Sequence, residues 1–149
     1  MANFDFTQFI SFDSALPFDV IQDNIVKLFA NKDFKIIEFE DIESVKKDYY
    51  ADYWRKCTFE LSKDDFLGDF MEWESEEKVP PSIVKFVDSI YKVSALDVSE
   101  LRIIICSFAD STKTCNELVH TDKNSIYKEL FKMSPFSYIC PDNLIIDVY

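Results

Sequence analysis

The chain has 149 residues and a net charge of −12, with one glycine, Gly68, and one histidine, His120. Phosphate-cradling loops, dinucleotide turns and nucleophile elbows all need glycine where the backbone turns tightly or approaches a ligand, so a single glycine excludes them. The length fits one domain over residues 1–149, and 48% hydrophobic residues, with fifteen Phe and seven Tyr, supply the core that disordered acidic chains lack.

In chain order, Phe4, Phe6, Ile10 and Phe12 alternate with polar residues as a half-buried strand does, and Phe9 interrupts the alternation, which leaves a short helix as the alternative. Pro17 opens an amphipathic helix with Phe18, Ile21, Ile25 and Leu28 on one face. Its acids, Asp19 and Asp23, come early and its bases, Lys27 and Lys32, come late, as the helix dipole favours. Residues 34–39 read as a strand that is apolar on both faces. Over 41–53, Ile42, Val45, Tyr49 and Tyr53 recur at helical spacing, but aromatics crowd the end and leave the element undecided.

Cys57, Phe59 and Leu61 alternate with Thr58 and Glu60 as a strand. Ser62 followed by Asp65 resembles a capping box, so a helix is expected to begin there, with Phe66, Phe70 and Trp73 inward and Asp64, Asp65, Asp69, Glu72 and Glu76 outward. Gly68 weakens that helix by about 1 kcal/mol relative to alanine. Pro80 and Pro81 start the next helix, whose buried stripe is Ile83, Phe86, Val87, Ile90 and Tyr91. The run 101–108 is the strongest strand, and its β-branched residues predict burial on both faces. A short helix is expected near 115–119, and Ile126, Tyr127, Leu130 and Phe131 mark another that ends before Pro135. Residues 136–140 and 144–149, on either side of Pro141-Asp142-Asn143, read as a hairpin. The expected fold is α+β (or α/β): a single mixed β-sheet with helices packed against it and a C-terminal β-hairpin.

The charge is uneven. Residues 1–80 hold 19 acidic and 9 basic side chains, whereas 81–149 hold 9 and 7. Such a field repels nucleic acid and anionic membranes and speeds encounter with cationic surfaces. Arg55 and Arg102 are the only arginines and the lysines are scattered, so direct nucleic-acid binding is not expected. Cys57, Cys106, Cys115 and Cys140 include no close pair of the kind zinc sites use, and they fit reduced structural thiols. With no basic-plus-apolar leader and no apolar run of membrane-spanning length, a cytoplasmic protein without membrane attachment is expected.

Three constellations carry chemistry only weakly. Lys113-Thr114 after a strand resembles the end of a phosphate loop, yet its glycine positions hold Ser107 and Thr112. Cys115 and His120 suggest a thiol–imidazole pair, but surrounding carboxylates oppose a thiolate, and His120 reads as a loop or surface residue. Carboxylate-dependent metal hydrolysis needs acids converging in a pocket, whereas here they spread over an outer face.

What remains is the run 60–77, in which Asp64, Asp65, Asp69, Glu72, Glu74, Glu76 and Glu77 face only Lys63 as an internal base, with Trp73 among them. It fits either a solvated face or a docking surface in which the acids steer a basic partner and Trp73 anchors it. A second patch joins Glu38, Glu40, Asp41 and Glu43 to Tyr49, Tyr50, Tyr53 and Trp54, aromatics that core packing also explains. The expectation is a non-enzymatic inhibitor without catalytic residues, metal or cofactor. It would most resemble a bacterial immunity protein or antitoxin that occludes a basic, nuclease-type toxin. The alternatives are a phage-type nucleic-acid mimic that inhibits a host DNA- or RNA-binding protein, and a carboxylate-dependent metal hydrolase.

Overall fold

Alternation in the strands and 3.6-residue stripes in the helices meet on one sheet. The computed structural model describes residues 5–30, 34–38, 54–108, 116–137, 141 and 143–149. Along the chain run β1 (Asp5–Ser14), α1 (Phe18–Phe29), β2 (Lys35–Glu38), β3 (Cys57–Ser62), α2 (Phe66–Met71) and α3 (Pro81–Val93). They are followed by β4 (Val98–Phe108), β5 (Asn116–Thr121), α4 (Ile126–Leu130), a 3-10 turn (Phe131–Met133) and β6 (Asn143–Val148). The strands form a single mixed sheet in the order β2-β3-β1-β4-β6-β5. Every neighbouring pair is antiparallel except β5 with β6. The class is α+β.

One face of the sheet carries Ile10, Phe12, Cys57, Phe59, Leu61, Ile103, Ile105, Leu144 and Ile146, and the four helices of the described residues pack there. Alpha-1 contributes Ile21, Ile25 and Phe29, and α3 contributes Ile83, Phe86, Val87, Ile90 and Val93. Pro17 and Pro80 occupy the N-cap positions of these two helices. Proline suits a helix start because its fixed φ is already helical and the missing N–H would have had no intrahelical partner. Phe34, Phe66 and Phe86 meet with ring centroids 5.0 to 5.4 Å apart, locking α2 and α3 to the chain just before β2.

The other face is buried too. Phe9, Ile104, Cys106 and Ile145 lie on it and are each 3% exposed or less. Phe9 breaks the alternation of β1 because this second face also needs an apolar side chain, and Trp54 packs edge-on against it at 4.9 Å. Burial on both faces of β4 agrees with its β-branched run.

Residues 116–121, expected to be partly helical, form β5 instead. So short a segment gains little as a helix, whereas the parallel ladder with β6 pairs the side of its backbone that faces the sheet and half-buries Val119 against Ile146. The chain does end in a strand pair. Its members are β5 and β6, running parallel with α4 in the connection, and β6 also pairs antiparallel with β4. Phe136 and Ser137 fall in a turn after Pro135. The rest of the expected arm, 138–140, lies outside the described residues, as do 41–53, Lys113-Thr114, Cys115 and Cys140.

Candidate functional site

The acidic run begins where β3 ends. Glu60 does not join it: it lies on the second face of the sheet, where burial pushes its carboxyl up. Helix α2 is shorter than the sequence predicts, only Phe66–Met71, and its N-cap is Asp65 without a side-chain capping bond, so Ser62 does not cap it. Asp65 sits at φ 60, a left-handed conformation that aspartate tolerates better than most residues. Its carboxylate lies against Gly68, where a Cβ would come within 2.8 Å of the Asp65 Cγ. The chain's one glycine thus leaves room for a folded-back side chain and forms no ligand loop.

Asp64 and Asp65 lie in the exposed turn before α2, and Glu72, Glu74, Glu76 and Glu77 follow it, all exposed, in a non-helical stretch. The inward and outward pattern predicted for 62–77 therefore holds except at Asp69, with a turn and a loop in place of most of the helix. Asp69 is half-buried and accepts a hydrogen bond from Lys63 Nζ at 3.1 Å, which neutralises it. No other acid of the run is ion-paired among the described residues.

Trp73 is not available as a surface anchor. It is fully buried, its ring lies 5.1 Å from that of Phe131, and its Nε1 donates to the Ser75 carbonyl at 2.8 Å. Ser134 Oγ donates to the Trp73 carbonyl at 2.6 Å and fastens the loop to the turn after α4. The apolar gain from burying an indole outweighs what it would offer in solvent, and the helical-wheel reading already placed it inward. The exposed apolar side chain beside the acids is Met71, 52% accessible. A cleft of about 310 Å³ opens alongside, lined by Lys35, Ser62, Lys63 and Asp64.

A second constellation has no sequence signature. Both arginines and the only histidine converge on Asp147 of β6. Register places Arg102 of β4 and His120 of β5 on either side of it, and Ser11 of β1 beside Arg102. Arg102 donates to the carboxylate through Nε at 2.6 Å and Nη2 at 2.9 Å, the bidentate fork suited to a guanidinium. Arg55 Nη2 stands 3.7 Å from Asp147 Oδ1, and His120 Nε2 stands 3.7 Å from Oδ2. Burial pushes the Asp147 carboxyl up, but the Arg102 hydrogen bonds and charge, with help from Arg55 and His120, outweigh it and hold the carboxyl below its ordinary value. His120 is a strand residue with an exposed ring.

Arg55 is placed by its backbone. Its N–H donates to Ser11 Oγ at 2.7 Å, and its carbonyl accepts from Thr58 Oγ1 at 3.2 Å. Its Nη1 donates to Glu100 Oε2 at 3.0 Å. Glu100 occupies a β-bulge, where Glu100 and Leu101 together face Phe12 and the register with β1 shifts. Its φ of 54 is one glycine would normally take, at a cost of about 1 kcal/mol for a residue with a Cβ. Scarcity was the only hint of this cluster in the sequence, which holds two arginines and one histidine.

The two described cysteines are inert. Cys57 and Cys106 are buried and unpaired, and burial pushes the Cys106 thiol up to about 12. Among the described residues no three His, Cys, Asp or Glu side chains converge as a metal site requires, and no helix is long and apolar enough to cross a membrane. No family model, no curated protein and no solved structure matches the chain.

Proposed function

We propose that this protein is an inhibitor that acts by binding a basic protein, in the manner of a bacterial immunity protein or antitoxin that occludes a nuclease-type toxin in the cytoplasm. The observation that carries the reading is the ribbon of exposed acids around α2. Asp64, Asp65, Glu72, Glu74, Glu76 and Glu77 all reach solvent, and none is neutralised by a base among the described residues. Folded proteins usually intersperse the two signs, and a one-sign field raises encounter rates with an oppositely charged partner. Met71, flexible and exposed within the ribbon, takes the anchoring part first assigned to Trp73. The ribbon rests on a rigid base, since Phe66, Phe70 and Trp73 pin it to the core.

The test is capture from native lysate on the tagged protein, eluted by stepping the salt. The expected product is one basic protein in stoichiometric amount. The triple variant Asp64→Asn, Glu74→Gln, Glu76→Gln spares the structural contacts of Asp65 and Asp69. It should bind that partner about tenfold more slowly at low salt, with a flatter salt dependence. An unchanged association rate removes this ribbon as the docking surface, and capture of no basic protein removes the reading itself.

A further inference from the structure

We propose that β5 is a dimer interface, its outer edge pairing antiparallel with β5 of a second copy of this chain so that two sheets become one. The surface is separate from the acidic ribbon and does not depend on the inhibitor reading. Strand β5 ends the sheet, and no strand of the described residues pairs with its far side. Tyr149 N–H donates to the Thr121 carbonyl at 3.1 Å, which turns the backbone groups of Thr121 toward β6. Successive residues of a strand point their N–H and C=O to alternate edges, so Glu117 and Val119 also face β6. Asn116, Leu118 and His120 direct theirs outward.

Nothing in β5 blunts that edge. Open edges are ordinarily protected by lysine, proline, a bulge or shortness. At the other end of the sheet, β2 is only four residues long, with Lys35 and Glu38 at its ends. Strand β5 has six residues, Asn116–Thr121, without lysine or proline, and its register with β6 runs unbroken. Leu118 is 47% exposed, the only large apolar side chain so exposed on a strand among the described residues. Charge selects a second copy as the occupant. The one acid of β5, Glu117, is held by Lys132 Nζ at 2.6 Å, and Asp147 beside His120 is held by Arg102, so a basic strand finds no free carboxylate here. On a chain of charge −12, this edge is instead a place where two copies meet without opposing acids. A two-fold axis perpendicular to the sheet and centred on Leu118 pairs the outward backbone groups fully. It sets Leu118 against its own copy and Asn116 against the second copy's His120.

The test is sedimentation equilibrium of the full chain together with amide hydrogen exchange read by NMR. A monomer–dimer equilibrium with a Kd of about 10–100 μM is expected. Added salt should tighten it by screening the repulsion between two acidic chains, the reverse of its effect on capture of a basic partner. Leu118→Lys sets two ammonium groups opposite each other and should weaken the dimer at least about tenfold, although it reduces the net negative charge. Val20→Lys makes the same charge change at an exposed position of α1 and should leave the dimer almost unchanged. The amides of Leu118 and His120 should exchange more slowly as concentration rises, whereas those of Glu117 and Val119, already turned to β6, should change less. A chain that stays monomeric at about 500 μM overturns the proposal and leaves the edge to a strand of another protein. A dimer that Leu118→Lys weakens no more than Val20→Lys does, or amides at 118 and 120 whose exchange ignores concentration, overturns it as well.

Discussion

Asp147→Asn keeps the shape of the side chain, removes its charge and turns one oxygen into a donor facing a guanidinium. In the native protein Asp147 and Arg102 are 14% and 11% exposed and share two hydrogen bonds of 2.6 and 2.9 Å. Breaking a fully buried pair costs about 3–5 kcal/mol, and a single charge-assisted hydrogen bond contributes about 1.5–3 kcal/mol. With the pair mostly but not wholly buried, the variant should lose about 2–3 kcal/mol at pH 7, roughly 6–9 °C in melting temperature for a domain of this size. The pH dependence fixes the cause. The folded-state pKa is lowered from 3.8, so the stabilisation is complete above the unfolded value and is lost as pH falls through the folded one. Urea unfolding of both proteins should therefore show a gap that is constant from pH 7 to about pH 5 and narrows by about half near pH 3. A double-mutant cycle with Arg102→Met should assign most of the gap to that pair. A gap below about 0.5 kcal/mol at pH 7, or one that ignores acid, would refute the account of the cluster.

The buried indole gives a second prediction: Trp73→Ala should destabilise by about 3–5 kcal/mol in urea, while Trp73→Phe, losing the bond to Ser75, should cost clearly less. If Trp73→Ala unfolds at the wild-type urea midpoint, the ring is not in the core. Gly68→Ala gains about 1 kcal/mol of helix propensity but collides with the Asp65 carboxylate, so it should stabilise a Asp65→Gly background more than the wild type. Equal effects in the two backgrounds would rule out the contact. In a Cys115→Ser, Cys140→Ser protein, the remaining thiols at 57 and 106 should resist an aromatic disulfide reagent at pH 8 until urea unfolds the chain. Prompt modification of the native protein would show that at least one of them is accessible.

Elements whose stability is local were legible in the sequence. Pro17 and Pro80-Pro81 mark helix starts, the stripes of Ile21 with Ile25 and of Ile83 with Phe86 and Ile90 face the sheet, and the 101–108 run is a strand, buried on both faces from Ile103 to Cys106. In each case one short segment contains both the propensity and the pattern of burial. The acidic ribbon was legible for the same reason, since charges close in sequence stay close in space. Its shape was not: α2 stops at Met71, after which Trp73 and Ser134 hold the loop to a turn some sixty residues away.

Only the tertiary structure decided what depends on pairing between distant segments. The stretch 116–121 is a strand because β6 lies beside it, and nothing within those six residues outweighs the helical alternative. Arg55, Glu100, Arg102, His120 and Asp147 have no spacing in common, and they meet because strand register aligns Arg102 and His120 with Asp147 while Ser11 holds Arg55 in reach. Sequence alone determined that the chain is acidic, folded and poor in the glycine that phosphate loops require. Register across the sheet then determined which few charges gather in a half-buried setting, where low dielectric makes their interactions stronger than the many charges left in water.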